Sequence, residues 1–312
     1  MARIVTLTPN PAIDLCTSID RVVPTRKLRC TTQRRDPGGG GINVARVVAR
    51  FGGNVEAIFP VGGMTGQLLR HLLDQEGIPS RIIETEADTR EDFFVSELSS
   101  ELQYRFILPG QTLREPEWQA CLSMLAASNP IPEFVVASGS LPPGAPIDFY
   151  GKAAAVARQL GAKFLLDTSG APLAAAVDQN LYLIKPNLAE MSELAGVELA
   201  TQEDWLAVAR SMLKNKKIEM IALSLGHLGA LMVTRRQALW AEGLAIKPKS
   251  ATGAGDSFLG ALVYSLAQGE TLADSFRLAV AAGAAALLNE GTELCRPSDV
   301  YRLAGQVRIK EI

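Results

Sequence analysis

The residues with the clearest chemical potential lie near the C-terminus, in the run Thr252-Gly253-Ala254-Gly255-Asp256. Two glycines allow a tight backbone turn, and the apolar helical pattern that follows adds the positive N-terminal end of a helix. Such an arrangement binds anions, including phosphate groups. A carboxylate beside an anion site suits chemistry better than binding alone, because it can take a proton from a hydroxyl that attacks phosphorus. The run therefore predicts phosphoryl transfer.

A second glycine run occupies residues 38–41 and is followed by Asn43 within a helical pattern. Consecutive glycines let backbone amides approach a ligand closely, and Asn43 adds a side chain that both donates and accepts. A flexible loop or a turn is the alternative. Asp14 follows the first predicted strand, where a carboxylate can accept hydrogen bonds from two sugar hydroxyls. Its alternative role is to cap the turn of the preceding Asn-Pro loop.

A third candidate group follows a predicted strand and contains Lys185, Asn187 and Glu190. Asn187 and Glu190 are three residues apart, which places them on one face of a helix that begins there. An amide and a carboxylate at this spacing can hold Mg²⁺ through water. The same pair can instead form an N-terminal capping box, and the two roles are compatible.

Two further groups carry weaker signals. Ser224, Gly226 and Gly229 pair the end of a strand with glycines, which favours either a phosphate-lining loop or a plain hairpin into residues 230–233. Several cations fall in polar, extended segments. On a strand, Lys27 and Arg29 would point to one face, and Arg90 and Arg105 lie in a later segment. If they cluster near the carboxylates and glycines, they favour capture of a second, substrate-borne phosphate.

The elements that must position these residues follow a regular order after residue 130. Strand patterns at 133–137, 163–167, 181–184 and 219–224 alternate with helical patterns at 148–160 and 202–215. This order predicts an α/β fold with a mostly parallel central sheet and helices on both faces. Two insertions, at about 14–35 and 90–108, lack that order and predict a small β-sheet lid. We interpret residues 1–312 as one domain whose site lies at the carboxyl ends of the strands.

Composition excludes several functions. A net charge of -2 and a pI near 5.9 argue against nucleic-acid binding, which needs a basic face. The longest apolar stretch, 279–288, is too short to span a bilayer, and no leader precedes the first strand, so we expect a cytoplasmic protein without a membrane partner. Four scattered cysteines and two histidines offer little material for zinc or a His-centred triad.

With these motifs assembled, the chain resembles the ribokinase-like (PfkB) carbohydrate kinases over essentially its whole length. The resemblance is carried by four ordered runs at 38–46, 138–144, 185–190 and 252–258. Residues 27–30, 104–110 and 289–295 resemble the minor-type bacterial 6-phosphofructokinases of the family, whereas residues 8–14 resemble 1-phosphofructokinases and tagatose-6-phosphate kinases. The resemblance to this family implies a three-layer α/β/α sandwich with a β-lid. It also implies ATP-dependent phosphorylation of fructose 6-phosphate at its C1 hydroxyl. A 1-phosphofructokinase, a tagatose-6-phosphate kinase and a non-catalytic sugar-phosphate sensor remain alternatives.

The resemblance also implies a role for each candidate. Asp256 is the base, and the amides of Gly253, Ala254 and Gly255 hold the transferred phosphoryl group. The implied sugar-phosphate ligands are Asp14, Lys27, Gly39, Gly40, Gly41, Asn43, Arg90, Arg105 and Ser140. The implied ATP ligands are Lys185, Asn187, Glu190, Ser224, Gly226 and Gly229, and Asn187 and Glu190 are implied to hold Mg²⁺ through water. A K⁺ ion near Ser250, Thr252, Asn289 and Gly291, and a homodimer formed through the lid, complete the expectation.

Overall fold

The computed structural model describes residues 2–312. Its strands are β1 (Arg3–Leu7), β2 (Ala12–Ile19), β3 (Arg34–Gly38), β4 (Asn54–Val61), β5 (Ser80–Glu84), β6 (Arg90–Glu97), β7 (Leu102–Phe106), β8 (Phe134–Ser138), β9 (Lys163–Asp167), β10 (Leu181–Ile184), β11 (Ile218–Ser224), β12 (Gly229–Thr234), β13 (Ala238–Glu242) and β14 (Ile309–Glu311). Its helices are α1 (Gly40–Arg50), α2 (Gly63–Gln75), α3 (Glu115–Ala126), α4 (Phe149–Gln159), α5 (Gly170–Ala176), α6 (Leu188–Ala195), α7 (Gln202–Asn215), α8 (Ala254–Ala267), α9 (Leu272–Ala286) and α10 (Pro297–Ala304).

The central sheet has the order β14-β13-β12-β11-β10-β9-β8-β1-β4-β5. The strands from β11 to β5 in this order are parallel, and β12, β13 and β14 continue the sheet in antiparallel pairs. Every residue of β8 is buried, because helices cover both faces of the sheet. Phe134 and Val136 face one core and Val135 the other, as the period-two geometry of a strand requires.

Each face of the sheet has its own helical layer. Residues of α1, α2, α8, α9 and α10 build the core on one side, and residues of α3, α4, α5, α6 and α7 build it on the other. The predicted three-layer α/β/α sandwich is thus confirmed. The predicted helix at 202–215 matches α7, and the one at 148–160 differs from α4 by one residue at each end.

A second sheet, here called the lid, has the strand order β3-β2-β6-β7. Asp14, Cys16 and Arg34 lie on one face of the lid, here called the inner face. Cys16 on this face contacts Thr292 in the loop between α9 and α10. The connection between β2 and β3, residues 20–33, contains no strand. The expectation that Lys27 and Arg29 lie on a strand and share its face is therefore wrong. The segment has the polar composition of an exposed edge strand, but it forms no ladder with the lid.

Within residues 2–312, no helix is both long enough and apolar enough to cross a membrane.

Candidate active site

The predicted anion site lies at the N-terminus of α8. Gly253 caps the helix in the left-handed conformation, with φ of 76°, which favours glycine over any residue with a side chain. A Cβ at Gly255 would lie 3.2 Å from Nζ of Lys185, so the first turn packs closely against that ammonium group. Because the first-turn amides of a helix lack partners within the helix, they and Lys185 together form a site for an anion.

Asp256 lies in the same first turn and is only partly buried. Its Oδ2 accepts a 2.9 Å hydrogen bond from Nδ2 of Asn43. Burial and the nearby charge of Asp167 raise the pKa of Asp256 to about 6, against the opposing effects of the Asn43 bond and of Lys185. The carboxylate therefore lies among the polar groups of the site, and near neutral pH it is a stronger base than an ordinary aspartate.

The glycine run brings α1 against the ends of two strands. Gly39 is the N-cap with φ of 106°, while a Cβ at Gly40 would lie 2.1 Å from Oγ of Ser138, and one at Gly41 would lie 2.4 Å from Oγ1 of Thr8. Side chains here would push the helix away. The alternative of a flexible loop is therefore wrong: the glycines permit a close approach that places Asn43 beside Asp256.

A row of three carboxylates crosses the lid beside this helix. Asp14 of β2 lies directly opposite Asp36 on β3 and Asp92 on β6. Burial and these two acids raise the pKa of Asp14 to about 8, although Arg90 and Arg46 act in the opposite direction. The side chain of Asp14 makes no hydrogen bond or ion pair within residues 2–312. Because Asp14 is in a strand, the alternative of a turn cap is wrong.

The candidate phosphate ligands divide into two groups. Arg90 lies on the inner face of the lid, where its Nη1 contacts Asp92 at 3.1 Å, and Arg105 of β7 shares that face but is exposed. Ser140 follows β8, and its Oγ accepts a 3.1 Å hydrogen bond from Asn10. Lys27, in contrast, is exposed in the connection 20–33 and has no hydrogen bond or ion pair within the described chain.

On the nucleotide side, Lys185 forms a 3.1 Å ion pair with Asp167 at the carboxyl ends of β10 and β9. Burial lowers the pKa of Lys185, but Asp167, Asp256 and Glu190 outweigh it and raise the pKa overall. Asn187 and Glu190 form the predicted capping box: Glu190 N donates to Oδ1 of Asn187, and Asn187 N donates to Oε2 of Glu190. The box lies beside Lys185 and Asp167, whose charges both act on Glu190. Asp167, Lys185, Asn187 and Glu190 are here called the acidic corner.

The fit of Mg²⁺ to this corner follows from its charges. Burial and, to a lesser extent, the charge of Asp167 raise the pKa of Glu190, and a cation beside the two carboxylates would favour their ionised forms. Within residues 2–312, no three His, Cys, Asp or Glu side chains are grouped so as to hold a metal directly. Few direct carboxylates and several waters are the usual ligands of Mg²⁺ beside phosphates, so the residues present fit this ion.

Ser224, Gly226 and Gly229 lie around the tight connection from β11 to β12. Gly226 is exposed in a single 3₁₀ turn, and a Cβ at Gly229 would lie 2.0 Å from the carbonyl oxygen of Ala241. The predicted plain hairpin is therefore present. Gly229 is explained by the close pairing of β12 with β13, and only Ser224 faces the strand end beside Asn187.

The residues implied for K⁺ come from two adjacent loops. Ser250 donates through Oγ to the carbonyl of Gly291 at 2.6 Å and accepts from the amide of Thr252. Asn289 donates its side-chain amide to the carbonyl of Leu294. Both side chains thus already have protein partners, so a cation here would depend mainly on main-chain carbonyl oxygens.

Sequence reasoning missed a cluster that joins the lid to the second of these loops. Oδ2 of Asp36 accepts hydrogen bonds from Thr292 at 2.7 Å and from Nε of Arg34 at 2.8 Å. Arg34 also donates to the carbonyl of Glu290. Asp167 was missed as well, although a polar residue at the end of a buried strand is a signal that could have revealed it.

A parallel sheet covered by helices on both faces, a small β-lid, and a carboxylate at the N-terminus of α8 together match the ribokinase-like fold of sugar kinases. The model of the pfkB family of carbohydrate kinases matches residues 7–299, and the chain belongs to this family.

Similar proteins agree with this assignment. The chain is 44% identical to the ATP-dependent 6-phosphofructokinase isozyme 2 of Mycobacterium tuberculosis, over 96% of this chain and 88% of the relative. It is 33% identical to the 1-phosphofructokinase of Xanthomonas campestris, over 98% and 97%. The crystal structure of phosphofructokinase-2 from Escherichia coli with fructose-6-phosphate superposes with a TM-score of 0.91 at 37% identity, covering 98% and 99% of the two chains. Other structures of that protein contain potassium or show a tetrameric inhibited form.

Proposed function

We propose that this protein transfers the γ-phosphoryl group of ATP to the C1 hydroxyl of fructose 6-phosphate and so forms fructose 1,6-bisphosphate. One observation carries the proposal: Asp256, in the first turn of α8, is hydrogen-bonded to Asn43 of the sugar-side helix. This bond joins the anion site to the proposed sugar-binding helix at a carboxylate whose raised pKa suits a base. The similarity to a 6-phosphofructokinase isozyme 2 supports the choice of sugar.

In this mechanism Asp256 accepts the proton of the attacking hydroxyl. The amides of Gly253, Ala254 and Gly255 stabilise the negative charge that develops on the transferred group, and Lys185 adds a buried positive charge beside them. The raised pKa of Asp256 brings its basicity closer to the working pH, as an efficient general base requires. Mg²⁺, when bound, neutralises phosphate charge, and Asn187 and Glu190 would hold it through water.

The sugar is bound between α1 and the lid. Asp14, Gly39, Gly40, Gly41 and Asn43 hold its hydroxyls, and Arg90, Arg105 and Ser140 hold its phosphate. Arg90 enters this role already neutralised in part by Asp92, so the exposed Arg105 contributes charge that no protein acid balances. Lys27 is included through the resemblance alone. A K⁺ ion at the loops of Ser250 and Gly291 is also part of the proposal, and activity in KCl against choline chloride tests it.

We further propose that two copies associate through the outer face of the lid. Leu102 and Phe106 lie on this face of β7, and together with Leu98, Ile107 and Leu108 beside the strand ends they are between 42% and 58% exposed. Contiguous apolar surface of this kind on a sheet marks an interaction site. A second lid would bury it and would also cover the open edges of β3 and β7.

A coupled assay of ADP release with purified protein tests the proposed reaction. We expect the highest kcat/KM with fructose 6-phosphate among fructose 6-phosphate, fructose 1-phosphate and tagatose 6-phosphate. The similarity to a 1-phosphofructokinase makes fructose 1-phosphate the second candidate, and a higher kcat/KM with it would replace the first. Binding of these sugars without turnover of any would instead identify a sugar-phosphate sensor.

A further inference from the structure

Asn10 lies between two of the proposed phosphate ligands but belongs to neither the sugar nor the nucleotide set. It follows β1 and is 6% exposed, which is unusual for an amide side chain. Its Nδ2 donates to Oγ of Ser140 at 3.1 Å, and its main-chain carbonyl accepts from Nη2 of Arg90 at 3.3 Å. Among the residues that the structure describes, Asn10 alone hydrogen-bonds to both.

The two partners of Asn10 belong to different parts of the fold, Ser140 to the main sheet and Arg90 to the lid. Their separation would therefore change if the lid moved. Ser140 follows Gly139, whose carbonyl accepts from the hydroxyls of Tyr150 at 2.7 Å and Thr168 at 2.9 Å, so this loop is fixed to the main sheet. Arg90 begins β6 of the lid. Asn10 therefore sets the separation between a hydroxyl on the main sheet and a guanidinium on the lid.

A third segment closes over the Asn10 amide. A Cβ at Gly110 would lie 2.2 Å from Oδ1 of Asn10, so only glycine lets this backbone pack so closely. Two residues earlier, the carbonyl of Leu108 accepts from Nη1 of Arg90 at 3.1 Å. The same segment thus holds both Asn10 and Arg90 in place.

The arrangement is not optimal for stability alone. Oδ1 of Asn10 is buried and has no donor among residues 2–312. A buried acceptor without a partner destabilises a fold, and an apolar side chain of similar size would avoid that cost. The amide side chain is therefore better explained by the hydrogen bond that its nitrogen donates to Ser140 than by packing, while the main-chain carbonyl of the same residue holds Arg90.

We propose that Asn10 is a positioning residue that fixes Ser140 and Arg90 at the spacing of a phosphate group and so selects a phosphorylated sugar. This inference rests on the proposed function, because it assumes that Ser140 and Arg90 bind the phosphate of the substrate. It predicts that loss of the Asn10 amide weakens binding of the sugar's phosphate group, without an effect on ATP binding or on the reacting hydroxyl.

Steady-state kinetics of Asn10→Ala test the inference, with fructose 6-phosphate, ATP and unphosphorylated fructose varied in turn. We expect KM for fructose 6-phosphate to rise about tenfold or more, with KM for ATP and kcat/KM for fructose within about twofold of the wild type. Ser128→Ala, which removes another buried and unpartnered polar group, is the matched control and should leave all three parameters unchanged.

The outcomes separate the two proposals. An equal rise in both KM values, or no change in KM for the sugar phosphate, overturns the role of Asn10 but leaves the kinase intact. A wild type that uses fructose as well as fructose 6-phosphate overturns the proposed substrate, and the role of Asn10 with it. If Asn10→Ala does not fold, Asn10→Asp decides, since it keeps the volume but sets a carboxylate beside the phosphate and should raise the same KM further.

Discussion

Nδ2 of Asn43 and Oδ2 of Asp256 are 2.9 Å apart, although 213 residues separate them in the chain. The bond joins α1, the helix that directly follows β3 of the lid, to the helix that forms the anion site. It orients the Asp256 carboxylate, whose Oδ1 has no hydrogen-bond donor among residues 2–312. Two distant motifs therefore converge on one acid.

The first prediction concerns Asp256. Asp256→Asn keeps the shape of the side chain but removes its ability to accept a proton, so kcat should fall by about 10²–10⁴. Coupled ADP-release kinetics measure the loss, and thermal unfolding should show that the fold is retained. Asp178→Asn, at an exposed acid paired with Lys216, is the control that should keep full activity. Near-normal turnover in Asp256→Asn would remove this residue from the mechanism.

The pH dependence of turnover gives the second prediction. Asp256 must be ionised to act as a base, and its pKa is raised to about 6 in the protein alone. Because kcat reports the same carboxylate in the substrate complex, kcat should fall about tenfold per unit of pH on the acid side. Sugar phosphates also ionise near pH 6, so both substrates must be saturating in this measurement. The residual activity of Asp256→Asn should lack this acidic limb. An identical limb in that variant would assign the titration to another group.

A third prediction concerns the acids of the lid. The folded state keeps a proton on Asp14 up to about pH 8, whereas the unfolded chain loses it near pH 4. The folded state therefore binds more protons between these values, and the contribution of Asp14 to stability falls as pH rises through this window. Relative to the wild type, Asp14→Asn should gain roughly 2–4 kcal/mol in unfolding free energy between pH 5 and pH 8. Denaturant unfolding at both pH values tests it, and a constant difference would contradict it.

The fourth prediction separates the cations. Arg105→Ala should raise KM for fructose 6-phosphate by about tenfold or more and change KM for ATP little, because Arg105 lies on the inner face of the lid away from Lys185. Arg26→Ala, in the exposed connection 20–33, serves as the matched control. Equal effects on both KM values would argue against a grip on the sugar phosphate.

The fifth prediction addresses assembly. Phe106→Glu places a charge on the apolar outer face of the lid and should convert a dimer to a monomer, as light scattering coupled to size exclusion would measure. Val197→Glu changes a side chain of similar exposure (51% against 54%) outside the lid and should leave the mass unchanged. A wild type that is monomeric at micromolar concentration would refute the lid dimer.

Much of this architecture could be predicted because it depends on local patterns of apolar residues and glycines in the sequence. The apolar run 134–137 of β8 indicated a sheet covered on both faces. The glycines before Asn43 and Asp256 indicated close approaches of the backbone, and the structure shows such approaches to Ser138, Thr8 and Lys185. Lys27 was placed wrongly because a polar, extended segment resembles an edge strand until its hydrogen bonds are known. The hydrogen bond between Asp36 and Thr292 could not be predicted from the sequence, because the two residues are 256 positions apart and their types alone do not show that they meet in the fold.

Gly229 illustrates the other limit. A glycine beside a strand end has two explanations, a ligand or a second strand, and sequence does not distinguish them. The structure shows that the pairing of β12 with β13 requires glycine at this position.

The capping box of α6 has a consequence for how experiments at this corner are interpreted. Asn187 and Glu190 each complete the hydrogen bonds of the other at the start of the helix. A replacement of either residue therefore removes hydrogen bonds from the helix start as well as a proposed magnesium ligand. Lost activity in such a variant would not identify which of the two had failed, whereas Asp167 lies outside the box and pairs with Lys185, so its replacement leaves the capping hydrogen bonds in place.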